Sequence, residues 1–405
     1  MALVVQKYGG SSVATPELVR RVAERIVRAR RKGHDLVVVV SAMGKTTDTL
    51  IRLAGEVSEN PPPREMDMLL SSGERISMAL LAMAIQDMGY DAISLTGPQA
   101  GIRTDTSHRK ARILEVDTSR IRKELSEGKI VIVAGFQGLS TEGEVTTLGR
   151  GGSDRTAVAL AYALEADQCE IYTDVEGVFT ADPRIVPEAR KIPVISSDEM
   201  LELASSGAKV MEARSVEFAS KYGVEIHVRS SFNEEPGTII KREDPSMEKV
   251  LVRGMALDTK EAKVTIRGVP DRPGIAAAIF SPLAEADINV DMIVQNVSED
   301  GFTDLSFTVN VSDLKTALAL CEGTQARIGA REVTADEDIA KVSVVGVGMR
   351  SHAGIAAIMF RTLADEGINI EMIATSEIRI SCVVRRGEGE RAVRALHRAF
   401  ELERE

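Results

Sequence analysis

The sequence has no tryptophan and only 3% aromatic residues, too few for a platform on which nucleic-acid bases stack. Its three cysteines, Cys169, Cys321 and Cys382, stand far apart without a C-x-x-C pair, and its five histidines form no H-E-x-x-H. Neither a disulfide framework nor a local zinc site is indicated, and no metal ligands are assigned. A reducing cytoplasm fits this cysteine usage. Against 50 basic residues stand 61 acidic ones, a formal net charge of -11, and no stretch gathers Lys and Arg without acidic neighbours. The attraction that nucleic acid or an anionic membrane requires is missing, so neither is expected as a partner. The first ten residues, MALVVQKYGG, lack the basic start and apolar length of a signal peptide, and runs such as Met78 to Ile85 fall short of a membrane span.

What is present suffices for two or three packed cores: 405 residues, 44% hydrophobic and 27% charged. As far as Ser231, short β-branched runs alternate with helical patterns: LVVQKY from Leu3, DLVVVVS from Asp35, DAISL from Asp91, KIVIVAG from Lys129, EIYTD from Glu170 and VEIHVRS from Val224. Such alternation predicts an α/β fold with a parallel sheet covered by helices. The first helix is the clearest, with Thr15 as N-cap, Pro16 at the first helical position, Leu18, Val22 and Ile26 on one face and Gly33 past its end. After Asn233 the polar stretch NEEPGTIIKREDPSMEK marks a boundary. Beyond it lies a repeat. KVTIRGV from Lys263 matches KVSVVGV from Lys341, and GIAAAIFSPLAEADINVDMI from Gly274 matches GIAAIMFRTLADEGINIEMI from Gly354. One copy buries its sheet poorly alone, so the two are expected to pair edge to edge.

Three glycine-containing turns follow strand patterns: Gly9-Gly10-Ser11-Ser12 after Lys7, Ser41 to Thr47 with Gly44-Lys45, and Gly149 to Asp154 before a helix. They are expected at the carboxyl edge of the sheet, where ligands of open α/β folds sit. Glycines there let N–H groups approach phosphate oxygens, and a helix amino-terminus adds partial positive charge. One such turn can need glycine merely for a positive φ. Three together, carrying Lys7, Lys45 and Arg150, point to anion binding. No named nucleotide motif survives: G-x-x-x-x-G-K-[ST] needs glycine where Val39 stands, and G-x-G-x-x-G fails at Asp154.

The segments KYGGSSV (7–13), SAMGKTTD (41–48), SSGER (71–75), TLGRGGSD (147–154), TDVEGVFTADPR (173–184) and SSGAKVMEARSVEFA (205–219) together resemble the aspartate kinases of the amino-acid kinase family. The paired repeat resembles their tandem ACT regulatory domains. The likeness runs through essentially the whole chain in order. It implies a catalytic αβα sandwich with a mostly parallel sheet in residues 1–245, a linker and first ACT domain in 246–340, and a second ACT domain in 341–405, both ACT domains ferredoxin-like (βαββαβ). It also implies transfer of the γ-phosphoryl of ATP, accompanied by Mg2+, to the β-carboxylate of L-aspartate. The product, 4-phospho-L-aspartate, leads to lysine, threonine, methionine and diaminopimelate.

Two anions must meet in that reaction, so cations and N–H donors are the main tools. The resemblance gives Lys7 and Asp154 to catalysis and Ser41, Thr47, Glu74, Arg150, Gly151, Gly152 and Ser153 to aspartate. It gives Lys7, Gly9, Gly10, Ser11, Thr173, Asp174, Phe179, Asp182, Pro183, Arg184 and Lys209 to the nucleotide. An amino acid presents an ammonium and carboxylates, which suit an acid such as Glu74 and the fork of Arg150. Taken alone, Lys7 reads as a solvated strand-end lysine, Glu74-Arg75 as a surface pair and Asp182 to Arg184 as an ordinary turn. Phe179 departs from the tyrosine common in the family, which removes a phenol contact.

In the repeats the likeness assigns an effector to Asp271, Gly274, Ile275, Ala276, Asn289 and Gln295, and to Asn369, Ile370, Thr375 and Ser376. The second copy's turn departs, reading Arg350-Ser351-His352-Ala353-Gly354. Threonine, with lysine as co-effector, is expected between repeats of two chains in a homodimer or higher oligomer. A separate regulatory chain starting near Met247 is a further expectation. Rival readings are another amino-acid kinase acting on glutamate or a related carboxylate, and a non-catalytic amino-acid sensor.

Overall fold

The computed structural model describes residues 2–242, 251–296, 301–350, 352 and 354–404; Met247, Ser351 and Ala353 lie outside them. The chain forms two compact units. One comprises Met1–Val178, Lys191–Ala204 and Lys209–Pro245, the other Phe179–Arg190, Ser205–Ala208 and Ser246–Glu405.

The first unit is built on an eight-stranded sheet in the order Val194–Ser196, Thr238–Lys241, Ile226–Ser230, Gln168–Thr173, Leu3–Tyr8, Asp35–Val40, Ile130–Ala134, Ala92–Leu95. All neighbours run parallel except Thr238–Lys241 beside Ile226–Ser230. All six strand runs read from the sequence enter this sheet. The valines Val37 to Val40 are wholly buried because both faces are covered. Val4, Tyr8, Leu36, Val38 and Ile132 pack under the helices Pro16–Arg31 and Ser72–Asp87. The alternate side chains face the helix Gly152–Leu164, which completes the αβα layers. Thr15 caps the first helix by accepting from Leu18 N–H at 3.3 Å, and Gly33 follows at φ +90°.

A second sheet of very short strands, Ile113–Val116, Ile102–Thr104, Gln137–Ser140 and Val145–Thr147, was not anticipated. The third glycine turn follows its last strand rather than one of the main sheet. The helical stretch Pro63–Asp87 is long and apolar enough to cross a membrane by length and composition, which Met78 to Ile85 alone is not. Half of its apolar part is buried inside the fold, together with the acids Asp67 and Glu74.

In the second unit each repeat builds its own four-stranded sheet. The first has the order Val290–Gln295, Phe302–Asn310, Glu261–Pro270, Glu332–Asp336, and the second Met372–Thr375, Arg379–Arg385, Ile339–Val345, Gly254–Asp258. The orders correspond strand for strand, with one difference. The strand completing the second sheet, Gly254–Asp258, precedes the first repeat in sequence, inside the stretch 246–340.

The expected edge-to-edge pairing is not what joins the repeats within this chain, because among the described residues no strand of one sheet is hydrogen-bonded to the other. Met292, Ile339, Met372 and Val383 form a shared apolar cluster instead. Around it the repeats exchange ion pairs reciprocally. Lys263 reaches Glu371, while its counterpart Lys341 reaches Asp291, the counterpart of Glu371, at 2.5 Å and Glu261 at 3.7 Å. Lys341 is only 1% exposed, so removing its charge leaves the buried Glu261 without its cation and Asp291 with only Arg379, 3.8 Å away. Lys341→Met is expected to destabilise the second unit by about 3 kcal/mol, read from its urea unfolding transition. A loss under about 1 kcal/mol would mean that the pair contributes no more than a surface contact.

Candidate active site

Four turns converge at the carboxyl edge of the main sheet. Gly9 N–H donates to Tyr172 O at 3.1 Å, Gly44 N–H to Gly10 O at 3.0 Å, and Gly135 N–H to Val40 O at 3.0 Å. A Cβ on Gly10 would lie 2.8 Å from Ala42 O, so only glycine lets the first two turns close on each other. A Cβ on Gly135 would likewise lie 2.8 Å from the Ser153 side chain. The amino-terminus of the helix Gly152–Leu164 is thereby brought to the strand ends.

Lys7 and Asp154 meet here. The Lys7 ammonium lies 2.6 Å from Asp154 Oδ1 and both residues are buried, so Lys7 is no solvated strand-end lysine. Asp154 sits in the first helical turn, where the helix dipole favours an acid. Ser41 N–H donates to Tyr8 O, and Thr47 lies in the first turn of the helix Thr46–Val57.

Glu74 is buried in the first turn of Ser72–Asp87 and is not a surface partner of Arg75. Its Oε1 accepts from Ala42 N–H at 3.1 Å, while Oε2 is buried without a hydrogen-bond partner. Burial pushes its carboxyl up to about 7, against the lowering by its own backbone N–H and that of Ala42.

The third turn is held from several sides. Gly151, at φ +64°, caps the helix. Arg155 donates to the carbonyls of Leu148 and of Arg150, the latter at 3.2 Å, and Ser215 Oγ donates to Gly151 O at 3.3 Å. Arg150 itself is exposed.

Two residues here escaped the sequence reading. Glu212 packs so closely on the turn that a Cβ on Gly151 would fall 2.5 Å from its own. Its Oε2 is buried without a partner, and burial raises its carboxyl. Asp67, fully buried, accepts from Thr147 Oγ1 at 2.5 Å and from Arg109 N–H, and meets His108 Nδ1 at 2.7 Å. Neither acid has a local pattern that sets it apart from a surface carboxylate.

The nucleotide candidates divide between the units. Thr173 ends its strand and donates to the exposed Asp174 at 3.2 Å, and Lys209 is exposed. Phe179, Asp182, Pro183 and Arg184 belong to the second unit. There the Asp182 carboxylate accepts from Arg184 N–H at 3.0 Å and from its guanidinium at 2.6 to 3.2 Å.

Of the effector candidates, Gly274 caps its helix at φ +90°, as Gly354 does the equivalent helix of the second repeat at +108°. The register puts Asp271, Gly274 and Gln295 at one end of the first sheet. Asn289, six residues before Gln295, stands at the other end, about 20 Å away along the strand, so it does not face that turn within the same repeat. Ile275 and Ile370 pack in apolar cores, while Ala276, Asn369, Thr375 and Ser376 are exposed.

Residues 2–230 match the model of the amino acid kinase family, and residues 264–320 and 342–400 match ACT domain models. An aspartokinase of Mycolicibacterium smegmatis is 57% identical over 407 residues, covering 99% of this chain and 97% of that protein. The chain belongs to the aspartate kinases of the amino acid kinase family. Its fold is similar to that of E. coli aspartokinase III in complex with aspartate and ADP in the R-state, with TM-score 0.83 and 28% identity, covering 98% of this chain and 99% of that one. It is also similar to the same enzyme in complex with lysine and aspartate in the T-state, with TM-score 0.75, 26% identity and the same coverage. This chain is therefore an ATP-using kinase of amino-acid biosynthesis that carries two ACT domains.

Proposed function

We propose that this aspartate kinase makes 4-phospho-L-aspartate from L-aspartate and MgATP as the first step toward lysine, threonine, methionine and diaminopimelate, under feedback through its ACT repeats. The observation that carries the reading is the buried Lys7–Asp154 pair where glycine turns and a helix amino-terminus converge. Lys7 would stabilise charge on the transferring phosphoryl group, with the N–H groups of Gly9, Gly10 and Ser11 beside it, and Asp154 would align the ammonium. Glu74 would receive the substrate ammonium. Arg150 would grip a carboxylate, with Ser41, Thr47 and the Gly151–Ser153 turn completing the aspartate site.

The nucleotide assignments at Thr173, Asp174 and Lys209, and at Phe179, Asp182, Pro183 and Arg184, rest on the likeness of their segments to the family. Among the described residues no group of three or more His, Cys, Asp or Glu side chains could hold a metal ion. Magnesium would accordingly be held largely by the ATP phosphates. Buried free thiols at all three cysteines suit a cytoplasmic enzyme. Rates on aspartate, glutamate and N-acetylglutamate would separate this enzyme from kinases of related carboxylates.

For the effector we favour threonine, with lysine as co-effector, bound between repeats of two chains in a homodimer or larger assembly. Asp271 can accept from an ammonium, the N–H groups of Gly274, Ile275 and Ala276 can meet a carboxylate, and Gln295 can bond a hydroxyl. Asn369, Ile370, Thr375 and Ser376 would come from the second repeat of the other chain. The lysine complex of E. coli aspartokinase III supports an amino-acid effector of this class. Activity titrated with threonine and lysine, singly and together, tests the reading. Gln295→Ala should keep its activity without effector and shift threonine inhibition about tenfold higher, the size of one lost hydrogen bond. An unchanged inhibition curve, or a parent enzyme indifferent to threonine, would reject it.

A further inference from the structure

On the face of the main sheet beside the first helix lies a cavity of about 250 Å³ that the reaction does not use. Its floor is polar, built on Glu170. That carboxylate is fully engaged, accepting from Arg229 at 3.1 Å on Oε1 and from Gln6 at 2.8 Å and Tyr172 at 3.1 Å on Oε2. Above it stand Arg25, Arg28 and Lys32, one helical turn apart in succession, with His34 just beyond. The other acid in the wall, Glu234, is shared by Arg25 at 3.1 Å and Arg28 at 3.4 Å.

The charges do not cancel. Four cations line the cavity, Arg25, Arg28, Lys32 and Arg229, against the two carboxylates of Glu170 and Glu234. Glu170 answers Arg229, and Glu234 answers one of its two arginines. Two positive charges are left over, one of them on Lys32, which meets no carboxylate among the described residues.

The wall is rigid. Arg25 donates to Ser230 O and Asn233 O, both at 2.7 Å, and its guanidinium stacks 4.8 Å above the Tyr172 ring. Tyr172 in turn lies parallel to Tyr8, their centroids 4.8 Å apart. Ser231 Oγ meets Ser12 Oγ at 2.5 Å, which ties the same segment to the first glycine turn.

We propose that this cavity is a second anion site, separate from the reaction centre, taking a small dianion such as phosphate or a compact dicarboxylate. A dianion matches the two leftover charges. Exposed lysine or arginine alone would bind anions weakly, but here the guanidinium of Arg25 is already fixed, so little freedom remains to be lost on binding.

The test uses the whole enzyme and inorganic phosphate at constant ionic strength, with chloride as the balancing anion. Thermal melting of the parent should rise with phosphate and saturate, as mass action at one site requires. In Arg28→Ala/Lys32→Ala the apparent affinity should fall at least tenfold, while Lys7→Ala, altered only at the reaction centre, should keep the parental response. No saturable rise in the parent would overturn the proposal. So would a response that survives in the double variant, or one that disappears in Lys7→Ala, which would locate the phosphate among the glycine turns. Malonate and succinate, titrated in the same way, separate a dicarboxylate ligand from phosphate.

Discussion

Lys7→Ala is expected to lower kcat by about 10² to 10³, the range found when a single donor aimed at developing transition-state charge is removed. Among the described residues Lys7 is the only side chain that forms an ion pair with Asp154, and it lies at the end of Leu3–Tyr8, one residue before the stacked Tyr8 and two before Gly9. Both partners are buried. Deleting the ammonium therefore has two effects, a lost phosphoryl-stabilising charge and an uncompensated carboxylate in the fold. Melting curves separate them. Lys7→Ala/Asp154→Asn removes the stranded charge, and its stability should recover while kcat stays low. Lys7→Arg keeps the charge but replaces a compact ammonium by a planar fork, so it should recover stability more than rate. A kcat near that of the parent at saturating ATP and aspartate, in a folded Lys7→Ala enzyme, would remove Lys7 from the chemistry.

How much of this was legible beforehand varied with the kind of signal. The strand runs and the capped first helix were readable because each carries its own periodicity and punctuation: Thr15, Pro16 and Gly33 bracket a helix whatever surrounds it. The glycine turns at Gly10 and Gly151 were readable because glycine there answers a close approach that no other residue permits. Strands of three residues such as Ile102–Thr104 and Val145–Thr147 are too short to show alternation, and their sheet was missed.

Partnership was the other blind spot. Nothing in GMALD tells that Gly254–Asp258 completes the sheet of the second repeat, since a strand's local pattern is the same whichever neighbour it pairs with. Lys263 and Lys341 stood out as matching first letters of the repeat, yet their exchange of acids across the two sheets depends on a packing that only the folded unit defines. The same holds for Phe179–Arg190, which lies between two strands of the kinase sheet in sequence and folds with the second unit. Ala181 and Val186 are buried in its core, and the Thr180 hydroxyl meets the buried His397 Nε2 at 2.9 Å. Burial of Glu74 was equally invisible, because Ser-Ser-Gly-Glu-Arg reads as a polar helix start.

That burial leads to the second large effect. Glu74→Gln is expected to raise the aspartate KM by about 10², with the ATP KM changed less than twofold, as for loss of a charge-assisted hydrogen bond that the ammonium makes alike in ground and transition states. The pH dependence supplies an independent sign. With its carboxyl at about 7 in the ligand-free enzyme, Glu74 is protonated and neutral below that pH and cannot receive an ammonium. The aspartate KM of the parent should fall as pH rises through about 7 and then level off, whereas that of Glu74→Gln should stay flat. Stability must move the other way. Between the ordinary value of 4.5 and about 7 the folded protein holds a proton that the unfolded chain has released, so stability declines as pH rises across that window. The full decline amounts to about 3 kcal/mol for a shift of this size, and Glu74→Gln should lack it. Saturating aspartate should restore part of the loss in the parent at pH 8, because the ammonium stabilises the ionised form. Should the aspartate KM of Glu74→Gln keep the parental fall with pH, the titrating group lies elsewhere and Glu74 is a structural acid.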